Sequence, residues 1–519
     1  MNFFTPGRMG FFAALLFFLS LLPIIYVGLF NYATGDDYWY SINTHAGFVE
    51  EGIWGALKGS FLTVAEFYEG WQGTWFTIFL FSLSPNNFAQ NGYVIVVFLT
   101  LSLLIGSVVC LANHYLVKLL KLTRGAVAVI VCMVLYLAFQ YMPRGTSGIY
   151  WFNGIMHYLV PFFVGAVAIV YTQKFVDRKR KRDYFVLFLC FTLLGGGSYL
   201  VPVSASLAAC LILVSKLEIK EGSLKQKKLV LAYDWRNLWV LAALAAEAAG
   251  LFISFMSPGN SVRGGEEFGF SLKWALDCVF QAIDRGIYLG EDYFLKNPVN
   301  TIVYLMLAVI LWQQMWRVDK ERFRFKNPLL FVIYTNGIYW ASYMPEIYAR
   351  SDVSGGVPNT YFHIFLLVTL ANMVYVHGWI QRKLWERWKK TAQEQGVDTM
   401  DYVQNKLLYP ERFRYCCCFP LLLAGILVWL AADSFSEVKT VNAYCREAVE
   451  SGQLKEYAKV RSKQHHILMD EGIQEAVVPE MEAPYPLLNM TLSEEEGNSR
   501  NQDRAVYYQK KSVKAYRVD

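Results

Sequence analysis

Residues 9–40 read MGFFAALLFFLSLLPIIYVGLFNYATGDDYWY, an apolar run to Phe30 followed by Gly35-Asp36-Asp37-Tyr38-Trp39-Tyr40. The run has the roughly 20 residues that cross the hydrocarbon core of a bilayer. It ends in Phe30-Asn31-Tyr32, which lacks the small-x-small pattern of a signal-peptide cleavage site, so it is expected to remain as a span. Two adjacent carboxylates then stand at the mouth of that span. Such a pair is either a solvated turn that caps a helix or a functional site, because an unpaired charge beside hydrocarbon is costly.

The whole chain repeats the pattern of its first thirty residues. Of 519 residues 55% are hydrophobic and only 17% charged, against about 25% charged in an ordinary soluble domain. About eleven apolar segments can be counted, most of roughly 17 to 25 residues. They fall near 10–30, 91–117, 125–142, 157–173, 184–194, 199–215, 237–256, 299–316, 328–345, 359–379 and 413–433. The fold class expected is therefore an all-α polytopic membrane protein. Residues 1–433 form its transmembrane domain and 434–519 an external tail or small domain. Gly195-Gly196-Gly197 cuts one apolar run into two short pieces. This predicts a tight helical hairpin whose turn must be covered by protein or by a water-filled cavity.

Charge sets the expected orientation. Lys and Arg concentrate in the connectors 118–124, 174–182, 216–236 and 317–326 and in the stretch 382–414. Between Asn31 and Gln90 six carboxylates face the single Lys58. By the positive-inside rule the N-terminus is cytoplasmic, and Asp36-Asp37 and the C-terminus are external. Within the first connector Phe48, Val49, Ile53, Trp54, Phe61, Leu62 and Val64 recur at near-helical spacing, as in amphipathic helices lying on a bilayer. A second amphipathic stretch runs near Trp274 to Tyr288.

The nine cysteines lie mostly in apolar runs, with no CxxC pair or Cys/His cluster, and no GxGxxG or GxxxxGK[ST] loop is present. A nucleotide-driven cytoplasmic energy source and nucleic acid as a partner are thus unsupported. Against the charge bias the outer connectors carry Arg144, Arg263 and Arg350, each among Gly, Pro or Ser residues near a span end. Their planar guanidinium forks match a phosphate, so they are candidate phosphate ligands; snorkelling or structural ion pairs are the other reading. Ser257-Pro258-Gly259-Asn260 adds a candidate anion nest, with Asn260 as a ligand. Asn153 and His157 share a helix face by spacing. Trp39, Trp71 and Trp151 belong to the aromatic boundary and also suit sugar rings. Glu247 stands in mid-span among alanines without an assigned task.

Five stretches together resemble a known family. They are Gly35-Asp36-Asp37-Tyr38; Trp71-Gln72-Gly73; Trp151-Phe152-Asn153-Gly154 with Tyr158 and Pro161; Ser257 to Arg263; and Pro345 to Arg350. With an acidic pair after the first span, this set resembles the GT-C superfamily of membrane glycosyltransferases, and more narrowly the bacterial DUF6056 and GtrII-like multispanning proteins. The chain departs from that pattern at Thr74, where relatives carry arginine, and at Ser198-Tyr199, where they carry an acid.

The resemblance implies an inverting glycosyltransferase of the bacterial cytoplasmic membrane, with its active site outside. It would move a sugar from a polyprenyl-phosphate donor to a glycan or lipid acceptor, with membrane lipid as a further partner. Asp36 or Asp37 would be the catalytic base, and Arg263 and Arg350, with Arg144 and Asn260, would hold the donor phosphate. Trp39, Trp71, Trp151, Asn153, His157 and Glu346 would contact substrate. The one cofactor the acidic pair leaves room for is a divalent cation, Mg or Mn, on Asp36 or Asp37. The competing functions are a transporter or flippase of lipid-linked sugars and a non-catalytic envelope-assembly protein.

Overall fold

The computed structural model describes residues 5–89, 91–221, 229–264, 271–349, 355–399, 401–402 and 438–518. The expected span 413–433 and Arg350 lie outside these residues.

Among the described residues the chain is a helical bundle in which six helices are long and apolar enough to cross a membrane: Pro6–Gly28, Gly92–Leu119, Phe152–Arg178, Trp235–Phe255, Pro298–Met315 and Val357–Glu394. It is a polytopic helical membrane protein. Two shorter apolar helices, Arg124–Gln140 and Leu200–Val214, accompany them. In chain order the principal elements are α1 (Pro6–Gly28), α2 (Asp36–Trp39), α3 (Ile42–Gly70), α4 (Trp75–Ser82), α5 (Ile95–Ala112), α6 (Arg124–Gln140), α7 (Phe152–Gly154), α8 (Val160–Arg178), α9 (Lys181–Leu194), α10 (Leu200–Val214), α11 (Trp239–Phe255), α12 (Pro258–Gly264), α13 (Leu272–Leu295), α14 (Pro298–Met315), α15 (Pro328–Ala341), α16 (Met344–Ala349) and α17 (Val357–Glu394). The helix α1 packs along α6; α8 packs on α5, α9 and α10; α14 packs on α17. Close approach relies on small residues: a Cβ on Gly10 would lie 2.8 Å from the Gly125 carbonyl oxygen. Backbones that approach this closely gain dispersion contacts, the main attraction left between helices once lipid removes the hydrophobic drive.

The basic connectors gather at one end of the bundle. There Lys216 pairs with Asp177 at 2.7 Å, Lys389 with Glu321 at 3.0 Å, and Arg382 donates to the Lys320 carbonyl at 2.7 Å. The connectors after α1, α6, α11 and α15 meet at the other end. Gly195-Gly196-Gly197 joins α9 to α10, which pack mainly on α8 and its neighbours rather than on each other, and protein covers the turn. The Phe76 N–H donates to the Gly196 carbonyl at 2.9 Å, and a Cβ on Gly196 would strike the Trp75 ring. On the α11 side a Cβ on Gly195 would fall 2.7 Å from the Glu247 carbonyl oxygen.

The first connector differs from a pair of helices lying apart on a surface. Its helix α3 breaks at Gly52, whose φ of 64° favours glycine, and folds into an antiparallel hairpin. Thr44 and Ser60 hydroxyls meet at 3.1 Å, and a Cβ on Gly55 would lie 2.0 Å from the Gly47 carbonyl oxygen. The apolar residues that marked the pattern, Val49, Ile53, Trp54, Phe61 and Leu62, remain exposed on the outside of this hairpin.

Residues 438–518 form a small α/β unit rather than a loose tail. It contains α18 (Val441–Glu450), α19 (Gln453–Met469), β3 (Glu475–Glu480), α20 (Ser499–Tyr507) and β4 (Ser512–Arg517). Strands β3 and β4 pair in parallel, with Val478 opposite Ala515, and α20 makes the crossover. Leu468, Ala476, Val478, Leu492, Ala505, Val513 and Ala515 form its core. A second pair, β1 (Glu218–Glu221) and β2 (Leu229–Ala232), is antiparallel. The bundle is helical as expected; these two small sheets add to it. Their strands are four to six residues long, too short to stand out in composition.

Candidate functional site

The site begins with Gly35, whose φ of 50° turns the chain sharply out of the segment after α1. A Cβ there would collide with Met490, so glycine serves both the turn and the close approach. The one-turn helix α2 follows and points the two aspartates in different directions.

Asp37 is fully buried. Its Oδ2 accepts from the Tyr93 hydroxyl at 2.7 Å and from the Thr34 N–H at 2.9 Å. Burial pushes its carboxyl up to about 7, against the pull of those two donors and of the nearby Asn153 amide. Tyr93 in turn accepts from the Phe152 N–H at 2.9 Å, so Asp37 ties α2 to the Trp151-Phe152-Asn153-Gly154 stretch. Asp36, one residue earlier, is half-buried. Burial raises its carboxyl, while the Arg500 and Arg263 guanidiniums draw it down.

Arg263 is exposed at the end of α12 and is held in a defined pose. Its Nη1 donates to Gln72 Oε1 at 2.9 Å, and its guanidinium lies 5.0 Å from the Trp71 ring centroid. Trp71 meets Trp39 edge-on at 5.3 Å, and Trp39 packs on Phe67 at 4.6 Å. What brings α12 to this place is Gly259, where a Cβ would lie 2.3 Å from the Trp71 backbone nitrogen. The Trp-Gln-Gly and Ser-Pro-Gly-Asn motifs are therefore one structural unit.

The remaining expected residues sort by position. The Asn260 Nδ2 donates to the Ser254 and Phe255 carbonyls at 2.7 and 3.1 Å and closes the end of α11. Those bonds use both of its N–H donors. The His157 ring bonds the Thr77 hydroxyl at 3.0 Å and packs edge-on against Tyr158. Asn153 is buried beside Asp37, and its side-chain amide has no hydrogen-bond partner among the described residues. Trp151 packs against Gly154 and Gly355. Glu346 is buried and accepts from the Tyr361 hydroxyl at 2.7 Å. Burial pushes its carboxyl up to about 7, opposed by Tyr361 and by the Arg285 and Arg144 charges. Arg144 is exposed, and its backbone N–H donates to Asn359 Oδ1 at 2.8 Å. Tyr158 is within electrostatic reach of both Glu346 and Arg263, which joins the two halves of the site.

Three contributors carry no local signal in the sequence. Arg500, Asp503 and Arg504 come from α20 and reach back to α2 across more than 450 residues of chain. The Arg504 guanidinium covers the Tyr38 ring at 3.6 Å, and Tyr507 meets Tyr38 edge-on at 4.9 Å. Burial and the Asp36 charge raise Asp503 to about 6. The paired tyrosines 507 and 508 are the nearest thing to a signal, since two adjacent aromatics in a polar tail need a surface to pack on.

The donors a divalent cation would find here are Asp36 and Asp37 Oδ1, a buried oxygen with no hydrogen-bond partner among the described residues. Asp36 faces two guanidiniums, and one oxygen of the buried Asp37 is committed to Tyr93 and Thr34. Among the described residues no three His, Cys, Asp or Glu side chains converge on a metal-sized point. What the arrangement offers is a reachable carboxylate, an oriented guanidinium 2.9 Å from its tether, and flat aromatic faces between them. Compared with protein-family models, curated proteins and solved structures, the chain has no match.

Proposed function

We propose that the chain is an inverting glycosyltransferase that moves a sugar from a polyprenyl-phosphate donor to an acceptor hydroxyl at the outer face of a bacterial cytoplasmic membrane. The observation that carries this reading is Asp36, half-buried with its carboxyl raised, beside an Arg263 guanidinium laid on Trp71.

In this reading Asp36 is the base. The acceptor hydroxyl gives its proton to the Asp36 carboxylate as its oxygen bonds the anomeric carbon. On the opposite face the bond from that carbon to the lipid phosphate breaks, and the phosphate leaves with both electrons, which inverts the anomeric centre. Arg263, fixed by Gln72 and Trp71, meets the charge that builds on the leaving oxygen without having to reorganise. In this reading the guanidinium neutralises the departing phosphate. Trp71 and Trp39 supply faces for the sugar ring, and the unpartnered Asn153 amide supplies hydrogen-bond groups. Asp37 orients α2 through Tyr93 and does not meet substrate.

The test is transfer by the purified full-length protein in lipid nanodiscs from a panel of polyprenyl-phosphate sugars. Asp36→Asn should lower kcat by about a thousandfold, as expected when the base is lost. Arg263→Gln should lower kcat and kcat/KM together, because its contact is strongest as the phosphate departs. An Asp36→Asn variant as active as the parent protein would sink the assignment. Movement of intact donor across vesicle membranes without any transfer would instead support a flippase.

A further inference from the structure

Asp36 lies within the field of two guanidiniums, those of Arg263 and Arg500, and the two are built differently. Arg263 belongs to the bundle and is tied to Gln72 and Trp71. Arg500 belongs to the C-terminal unit and sits on the face of α20 that carries Asp503, Arg504 and Tyr507 at helical spacing. The C-terminal unit as a whole is clasped to the Asp36 loop and its neighbours by several independent contacts. Arg504 covers Tyr38, Tyr507 stacks on His45 at 4.0 Å and bonds Asn87 at 3.0 Å, the Thr34 hydroxyl donates to the Met490 carbonyl at 2.8 Å, and Arg461 donates to the Ala33 carbonyl at 2.6 Å. Arg504 is buried in this clasp, whereas Arg500 is exposed. Among the described residues Arg500 donates to the Thr491 carbonyl at 3.3 Å and enters no salt bridge. The result is an accessible cation on a rigidly docked helix, near the reactive carboxylate but contributed by a different part of the chain from Arg263.

Resting on the reading of Asp36 as base and Arg263 as the donor-phosphate ligand, we propose that Arg500 is the anion-binding residue of the acceptor subsite and that the natural acceptor is an anionic glycan, bearing phosphate or carboxylate near the hydroxyl that is glycosylated. A transferase of this kind handles two molecules at once. The donor brings one phosphate, which Arg263 accommodates. A second guanidinium, brought to the base by α20 and left exposed, suits an acceptor that also carries negative charge. Bidentate donation from Arg500 to that group would hold the acceptor hydroxyl toward Asp36. It would also offset the repulsion between an anionic acceptor and the Asp36 and Asp503 carboxylates.

The experiment uses the full-length protein in nanodiscs and a pair of probes, a phosphorylated disaccharide and its unphosphorylated parent, with binding measured calorimetrically in the absence of donor. The parent protein should bind the phosphorylated probe about tenfold more tightly than the neutral one, the scale of one charge-assisted contact. Arg500→Gln should erase that difference, Arg500→Lys should keep part of it, and Arg263→Gln should leave it in place. Equal affinity for both probes in the parent protein, or an undiminished preference in Arg500→Gln, would overturn the proposal. So would a preference lost in Arg263→Gln and kept in Arg500→Gln, which would place the acceptor anion on the donor side. Because the readout is binding, it stands apart from the transfer assay. Loss of the phosphate preference in Arg500→Gln together with full transfer by Asp36→Asn would refute the catalytic reading and not the anion subsite.

Discussion

At the scale of single residues the two aspartates part company through environment alone. Asp36 and Asp37 are neighbours of identical chemistry, yet one is half-buried within the field of two guanidiniums and the other is sealed under Tyr93 and Thr34. The Asp37 carboxyl ordinarily titrates at 3.8 and is pushed up to about 7 in the folded chain. Between those values the folded protein keeps a proton that the unfolded chain has released. The stabilisation this gives is complete below 3.8 and is lost as pH rises through 7. Asp37→Asn keeps an acceptor for Tyr93 and Thr34 and carries no charge. Its stability relative to the parent protein, followed by the thermal midpoint, should therefore climb between pH 4.5 and 7.5, by an amount on the order of a few kcal/mol at most. Glu346 and Asp503 are raised in the same direction, to about 7 and about 6; they tilt both proteins alike, and the difference isolates Asp37. A flat difference would mean that Asp37 stays charged when folded.

At the scale of elements, glycines decide where helices meet, and through that where Arg263 ends up. Gly259 abuts the Trp71 and Gln72 backbone at 2.3 and 2.8 Å for a would-be Cβ. Gly259→Ala should force α12 off the end of the α3 hairpin at a cost of about 1–3 kcal/mol, the usual penalty for overpacking. A lowered thermal midpoint should accompany a raised KM for donor. Gly337→Ala in α15, where nothing lies within 4 Å of the added atom, should change neither. The apolar spacing within 48–64 marked helices correctly, but their folding against each other at Gly52 depends on backbone contact between Gly47 and Gly55. Periodicity describes one face of one helix and says nothing of a partner that touches through glycine.

At the scale of the whole molecule, the basic connectors collect at one end of the bundle and the site residues at the other. If the basic end is cytoplasmic, the C-terminal unit and the Asp36 loop face outward. Lys463 and Lys181 are both exposed, and the described cysteines are buried or half-buried. A membrane-impermeant maleimide applied to intact cells should label Lys463→Cys at once. It should label Lys181→Cys only after permeabilisation. The opposite pattern would move the site to the cytoplasmic face and remove the outer-face acceptor from consideration.

The helical membrane architecture, six of the spans, the separation of basic and acidic connectors, and the placing of Asp36, Asp37, Arg263, Trp71 and Glu346 among the connectors of one end can be read from the chain alone. These are legible because span length, apolar run and charge bias are local properties of the chain, set by a solvent that changes from water to hydrocarbon along each helix. Only the tertiary structure decided that Asp36 is the reachable carboxylate and Asp37 the buried one, that Asn260 closes a helix end, and that α20 brings Arg500 to Asp36. Those outcomes depend on which surfaces touch across hundreds of residues, through close glycine contacts and an α/β unit whose strands are too short to announce themselves. Burial and charge pairing act on assembled neighbours, and neighbours of that kind exist only once the chain has folded.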